Sequence, residues 1–113
     1  MQYVTTERAP KAIGPYSQAV KANGFVFVSG QLPFDPATGQ IVDGSGEDQT
    51  LAVLRNIAAI LEAADSSVSK VVKTTVFVTD MANFQAINKV YSEFFGDHKP
   101  ARSLVEVSCL PRK

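Results

Sequence analysis

One uninterrupted run, Val71-Val72-Lys73-Thr74-Thr75-Val76-Phe77-Val78-Thr79, is β-branched at every position except Lys73 and Phe77 and contains neither Gly nor Pro. Branching at Cβ stiffens χ1, which disfavours a helix and suits a pleated surface, so this run predicts a central strand. On both sides of it the spacing of apolar residues changes to that of a helix. Before it, Leu51, Leu54, Ala58, Leu61 and Ala64 form an apolar stripe that Ile57 and Ile60 widen, and Ser45 to Asp48 has a capping pattern. After it, Asp80 can cap a second helix whose apolar side carries Phe84, Ile87, Tyr91, Phe94 and Phe95, with Gly96 placed as a left-handed stop.

The outer segments complete the pattern. Ser17 to Ala22 and Phe25 to Ser29 are two extended runs joined by Asn23-Gly24, a pair suited to the positive φ values of a tight hairpin. Pro33 to Gly46, with Pro36, Gly39 and Gly44 inside it, reads as a long surface loop. Beyond Pro100, Arg102, Leu104 and Glu106 alternate with Ser103, Val105 and Val107, as in a final strand of mixed character. Right-handed crossovers in this order place both helices on one face of a single sheet, an α+β arrangement. Val26 and Val28 alternate with Phe25 and Phe27, so the strands are apolar on both sides. The face without helices is therefore expected to be buried in a homo-oligomer.

A length of 113 residues corresponds to one domain, residues 1–113. Eleven Lys and Arg balance eleven Asp and Glu, so the basic excess expected of a nucleic-acid-binding domain is missing. The single cysteine, Cys109, allows no intrachain disulfide and fits a reducing cytosol or organelle matrix. Apolar runs are far too short to span a bilayer, and Met1-Gln2-Tyr3-Val4 lacks a signal pattern, so no membrane or secretion role is expected. With one His and one Cys, a Cys/His metal site cannot be assembled within the chain, and no metal is expected. His98, between Asp97 and Lys99, reads as a solvated loop residue. No phosphate-loop or dinucleotide pattern is present, so no nucleotide cofactor is implied.

Several side chains could carry chemistry, each with a plainer alternative. Arg102, fixed after Pro100-Ala101, could clamp a carboxylate through its planar guanidinium or sit in a rim ion pair. Ser29-Gly30-Gln31 could turn consecutive N–H groups toward an anion or form an ordinary turn. Tyr16 could present a phenol at the entrance of the hairpin or pack in the core. The spacing from Phe84 through Asn88 to Tyr91 puts the Asn88 amide on the apolar side of its helix, where it either ties the helix to the sheet or faces a ligand. Cys109 has no activating neighbour in the sequence and reads as inert.

Four ordered blocks, Ala12-Ile13-Gly14-Pro15-Tyr16-Ser17-Gln18-Ala19, Val28-Ser29-Gly30-Gln31-Leu32-Pro33, Val72 to Asp80 and His98-Lys99-Pro100-Ala101-Arg102-Ser103, make the chain resemble the RidA family of reactive imine and enamine deaminases. The resemblance implies a chorismate-mutase-like α+β fold with two helices on one face of a sheet, assembled as a homotrimer with clefts at the subunit interfaces. It implies hydrolysis of 2-aminoacrylate and 2-iminobutanoate to 2-keto acids and ammonia, with no cofactor, in the cytoplasm or, after presequence removal, the mitochondrial matrix. By matched position, Arg102 would clamp the carboxylate, Ser29 and Gly30 would line the pocket, and Tyr16 and Asn88 would complete it. Where the family usually has Cys, this chain has Leu104, and a backbone carbonyl there would still hold the attacking water. The family continues into one further strand whose Glu is the proposed water activator, whereas this sequence stops at Leu110-Pro111-Arg112-Lys113. The expectation is a shortened fold lacking that strand, with the catalytic residue unassigned and Glu93 and Glu106 poor substitutes. Two other readings are a non-catalytic trimer that binds small carboxylates and a ribonuclease or translation inhibitor, the last disfavoured by zero net charge.

Overall fold

A computed structural model describes residues 1–111; the expected lack of a further strand after Pro111 falls outside the described residues. The elements in chain order are β1 (Gln2–Val4), β2 (Ala19–Ala22), β3 (Phe25–Val28), α1 (Gly46–Ala63), β4 (Lys73–Val78), α2 (Phe84–Phe95) and β5 (Ala101–Glu106). Short 3-10 turns at Val68–Lys70 and Met81–Asn83 precede β4 and α2. The α+β architecture is as the sequence predicts, and the β-branched run does form a strand, β4, though among the described residues it pairs only with β5 and is not central.

The β2–β3 hairpin turns through Asn23 at φ 52° and Gly24 at φ 80°. Positive φ at both central residues matches the right-handed twist of the flanking strands, which is why an Asn-Gly pair occupies this turn. Strand β1 was not evident from the sequence: its three residues have no readable periodicity, and it exists by pairing antiparallel with β2, Val4 opposite Ala19. Helix α1 begins with a reciprocal capping box, in which the Ser45 side chain accepts from the Asp48 N–H and the Asp48 carboxylate accepts from the Ser45 N–H. Asp80 caps the 3-10 turn rather than α2 directly, its Oδ1 accepting from Ala82 N at 2.9 Å. Gly96 ends α2 at φ 60° and ψ −125°, a conformation that a side chain resists.

The strands are not joined into the single sheet expected. Among the described residues they form an antiparallel sheet β1-β2-β3 and a parallel pair β4-β5, with Thr74 opposite Arg102 and Val76 opposite Leu104. Two apolar clusters follow this division. Val4, Ala9, Ala19, Ile60 and Ala64 pack the first sheet on α1, while Leu54, Val90 and Phe95 join α1 to α2, with Val71 and Tyr91 against them. The helices cover one side. On the other, Phe25 and Phe27 remain 61% and 60% exposed, and Tyr3, Phe77 and Val105 are exposed with them.

His98 departs from the solvated-loop expectation. It is half-buried near the Phe95 ring, and its Nε2–H donates to the Val71 carbonyl at 2.7 Å, pinning the approach to β5 against the approach to β4. Its sequence neighbours are charged, but the tight return after Gly96 folds it inward. Two buried amides also escaped the sequence reading. Gln18 gathers the carbonyls of Thr6, Ala9 and Pro10 around its side-chain nitrogen, and Asn56 donates to the Phe34 carbonyl at 2.9 Å, holding the long loop on α1.

Candidate functional site

The sequence-predicted residues fall into two groups on separate sheets. The first lies at the end of the hairpin. Ser29 extends the β2–β3 pairing by donating its N–H to Gln18 O at 3.0 Å, and its hydroxyl donates to Ser17 O at 2.6 Å. The Ser29 N–H is thereby committed, so it contributes nothing to an anion-binding turn. The Gly30 N–H has no partner among the described residues, and no atom lies within 4 Å of where a Cβ would stand. Backbone can therefore approach a ligand there without obstruction. Tyr16 is 51% exposed and its hydroxyl makes no hydrogen bond to the described residues, which rules out the packed-core alternative.

The second group is built by β4, β5 and α2. Arg102 is half-buried on the helix-facing side of β5, and its guanidinium lies over the Tyr91 ring, 4.8 Å from the centroid. It makes no ion pair or hydrogen bond with the described residues, so its donors are not used within them. Tyr91 is itself fixed: its hydroxyl shares a hydrogen bond with Thr74 Oγ1, and its ring packs on Phe95 with centroids 4.7 Å apart. Asn88 is half-buried one helical turn before Tyr91, and its amide bonds no described residue, so it does not tie the helix to the sheet. Its donors and acceptor stay available to a ligand.

Leu104 follows Arg102 on the same face of β5 and is half-buried. The two glutamates considered as proton carriers are engaged elsewhere or remote. Glu106 Oε1 accepts from Met81 N at 2.9 Å, capping the 3-10 turn, while Glu93 lines a groove between the helices with Glu47, Asp48 and Phe94. Cys109 is exposed and unpaired. No group of three metal-ligating side chains occurs among the described residues, and no described helix is long and apolar enough to cross a membrane.

Among the described residues no hydrogen bond, ion pair or ring contact links the Tyr16–Ser29–Gly30 group to the Asn88–Arg102 group. Each group offers polar atoms that the described residues leave unused. Together they supply a cation with free N–H donors, a free amide N–H and a carboxamide, which suits a small ligand carrying a carboxylate. Tyr91 and Thr74 were not singled out from the sequence. The available signal was spatial rather than linear, since Tyr91 is one turn from Asn88 and Thr74 is the strand partner of Arg102.

This arrangement of helices and sheets is that of a known class of small α+β proteins, and the comparisons agree. The family model described as Endoribonuclease L-PSP matches residues 6–113. A RutC family protein of Pyrococcus horikoshii is 57% identical over 111 residues, covering 98% of this chain and 88% of the relative. The chloroplastic Reactive Intermediate Deaminase A of Arabidopsis thaliana is 49% identical over 110 residues, covering 97% of this chain and 59% of that protein. The crystal structure of E. coli TdcF with bound serine superposes with a TM-score of 0.94 at 45% identity, covering 99% of this chain and 90% of that one. The chain belongs to the RidA family, also known as the YjgF family.

Proposed function

We propose that this protein hydrolyses reactive 2-imino and enamine acids, among them 2-aminoacrylate and 2-iminobutanoate, to 2-keto acids and ammonia. The observation that carries this reading is Arg102, a half-buried guanidinium with no carboxylate partner, held over an aromatic ring beside an unbonded Asn88 amide. Kinship with a protein named Reactive Intermediate Deaminase A supports the reaction class.

Arg102 binds the substrate carboxylate, and the Gly30 N–H, the Ser29 oxygen and Tyr16 border the reacting carbon. Water adds to C2 of the imine to give a carbinolamine. The nitrogen of that adduct takes a proton and leaves as ammonia, while loss of the hydroxyl proton forms the keto group. The Leu104 carbonyl is the acceptor assigned to the attacking water. Orientation supplies most of the effect, because water and imine are already reactive partners once held in place.

The two half-sites come together between subunits of a homotrimer. Support comes from their separation within one chain and from the exposed Phe25, Phe27, Phe77 and Val105, which call for cover.

To test the reaction, 2-iminobutanoate is generated with a threonine dehydratase and its disappearance is followed. Acceleration that is lost in Arg102→Ala is expected; a rate equal to buffer with the trimer present overturns it. A second reading, carboxylate capture without turnover, draws on the serine bound to TdcF, a ligand with a carboxylate and no imine. Calorimetric binding of 2-ketobutyrate that vanishes in Arg102→Ala, with no turnover, would establish it instead.

A further inference from the structure

We infer that Tyr91 is the positioning residue that presents Arg102 to the substrate carboxylate, and that Thr74 holds Tyr91 in place for this purpose. This rests on the carboxylate-site reading above. Arginine carries several rotatable bonds, and a mobile guanidinium loses their freedom when a ligand fixes it. Here the guanidinium is placed beforehand over the Tyr91 ring, 4.8 Å from its centroid. A contact with a ring face consumes none of the N–H donors, so all of them remain for the two carboxylate oxygens.

An ion pair with Asp or Glu would fix the side chain equally well, but it would occupy the same donors and oppose an anionic ligand. The ring avoids that conflict. It can do so only if it is rigid, and two neighbours make it so: Phe95 packs against it at 4.7 Å, and Thr74 Oγ1 bonds its hydroxyl. Thr74 and Arg102 are direct partners across the β4–β5 ladder, so the residue that anchors the ring and the residue that uses it share one backbone register.

The inference is tested in the full-length protein with Tyr91→Leu, Tyr91→Phe, Thr74→Val and, as a packing control, Val90→Ala. Dissociation constants for 2-ketobutyrate are measured by calorimetry, and side-chain resonances of Arg102 by NMR. Tyr91→Leu is expected to weaken binding about tenfold. Tyr91→Phe and Thr74→Val, which keep a ring, should weaken it only about two- to threefold. The Arg102 side-chain protons should lose their ring-current shift in Tyr91→Leu and keep it in Tyr91→Phe, a pattern that a purely packing role would not give. Val90→Ala should lower the melting temperature and leave affinity within about twofold of the parent, because its side chain packs the α1–α2 seam. A folded Tyr91→Leu protein with parental affinity, or an unshifted Arg102 resonance in the parent, overturns the inference. Should Tyr91→Leu fail to fold, parental affinity in Thr74→Val together with an unshifted Arg102 resonance does the same. If Arg102→Ala itself binds 2-ketobutyrate as the parent does, the carboxylate-site reading fails first and takes this inference with it.

Discussion

The hydroxyl of Ser29 donates to the carbonyl of Ser17 at 2.6 Å, tying the end of β3 to the residue two positions before β2. The bond closes the open end of the hairpin opposite its Asn23-Gly24 turn. It also brings Tyr16 and Gly30 to the same end of the sheet, although they are separated by more than a dozen residues.

Replacing Ser29 with Ala should therefore have two effects. Loss of one partly buried hydrogen bond should cost about 0.5–1.5 kcal/mol, read from urea unfolding. Affinity for 2-ketobutyrate should fall as well, because the hairpin end that positions Gly30 loosens. Unchanged stability together with unchanged affinity would show that the bond positions nothing.

Gln18 ties together several backbone groups away from the candidate site. Only 4% exposed, it accepts from Thr6 N and donates to the carbonyls of Thr6, Ala9 and Pro10. Gln18→Ala strands these backbone groups and should destabilise the protein by about 2–4 kcal/mol. The sharper readout is amide hydrogen exchange at Thr6, whose protection should drop more than that of α1.

The exposed aromatic face predicts association. Phe25 and Phe27 stand with ring centroids 6.3 Å apart on the side away from the helices. In the proposed trimer a carboxylate there would be desolvated by the covering subunit, so Phe27→Asp should shift the particle mass in light scattering from trimer to monomer. A mass equal to that of the parent at micromolar concentration would mean that this face is not the contact.

At the end of α2, Gly96 keeps its N–H bonded to Ser92 O while adopting φ 60° and ψ −125°. Open space surrounds it, so the penalty for Gly96→Ala is conformational alone, about 1–2 kcal/mol, seen as a lower melting temperature. The neighbouring His98 contact should weaken with it, detectable as faster exchange near Val71.

Much of this molecule was readable because local signals agreed with their final environment. Asn23-Gly24 specified its turn, Ser45 and Asp48 specified the start of α1, and the β-branched run specified β4. What escaped depended on distant partners. Strand β1 has too few residues for a period and owes its existence to β2. His98 looked polar beside Asp97 and Lys99, yet the carbonyl that accepts its hydrogen bond belongs to Val71. As candidates, Arg102, Ser29, Gly30, Tyr16 and Asn88 could be picked from the sequence. Their division into two groups could not, since it follows from which strands share hydrogen bonds. Tyr91 looked like one more apolar helix residue because its hydroxyl partner, Thr74, lies on another element.

The break in strand pairing between β3 and β4 bears on how the hairpin is placed against β5 within one chain. No backbone ladder spans them among the described residues, and α1 is the element shared by both apolar clusters, through Ile60 on one side and Leu54 on the other. Ladder hydrogen bonds set distances in fixed steps, whereas packed side chains set them by volume. Within one chain the hairpin end is therefore set against β5 by side-chain volume along α1, so a single methylene gained or lost there shifts one relative to the other.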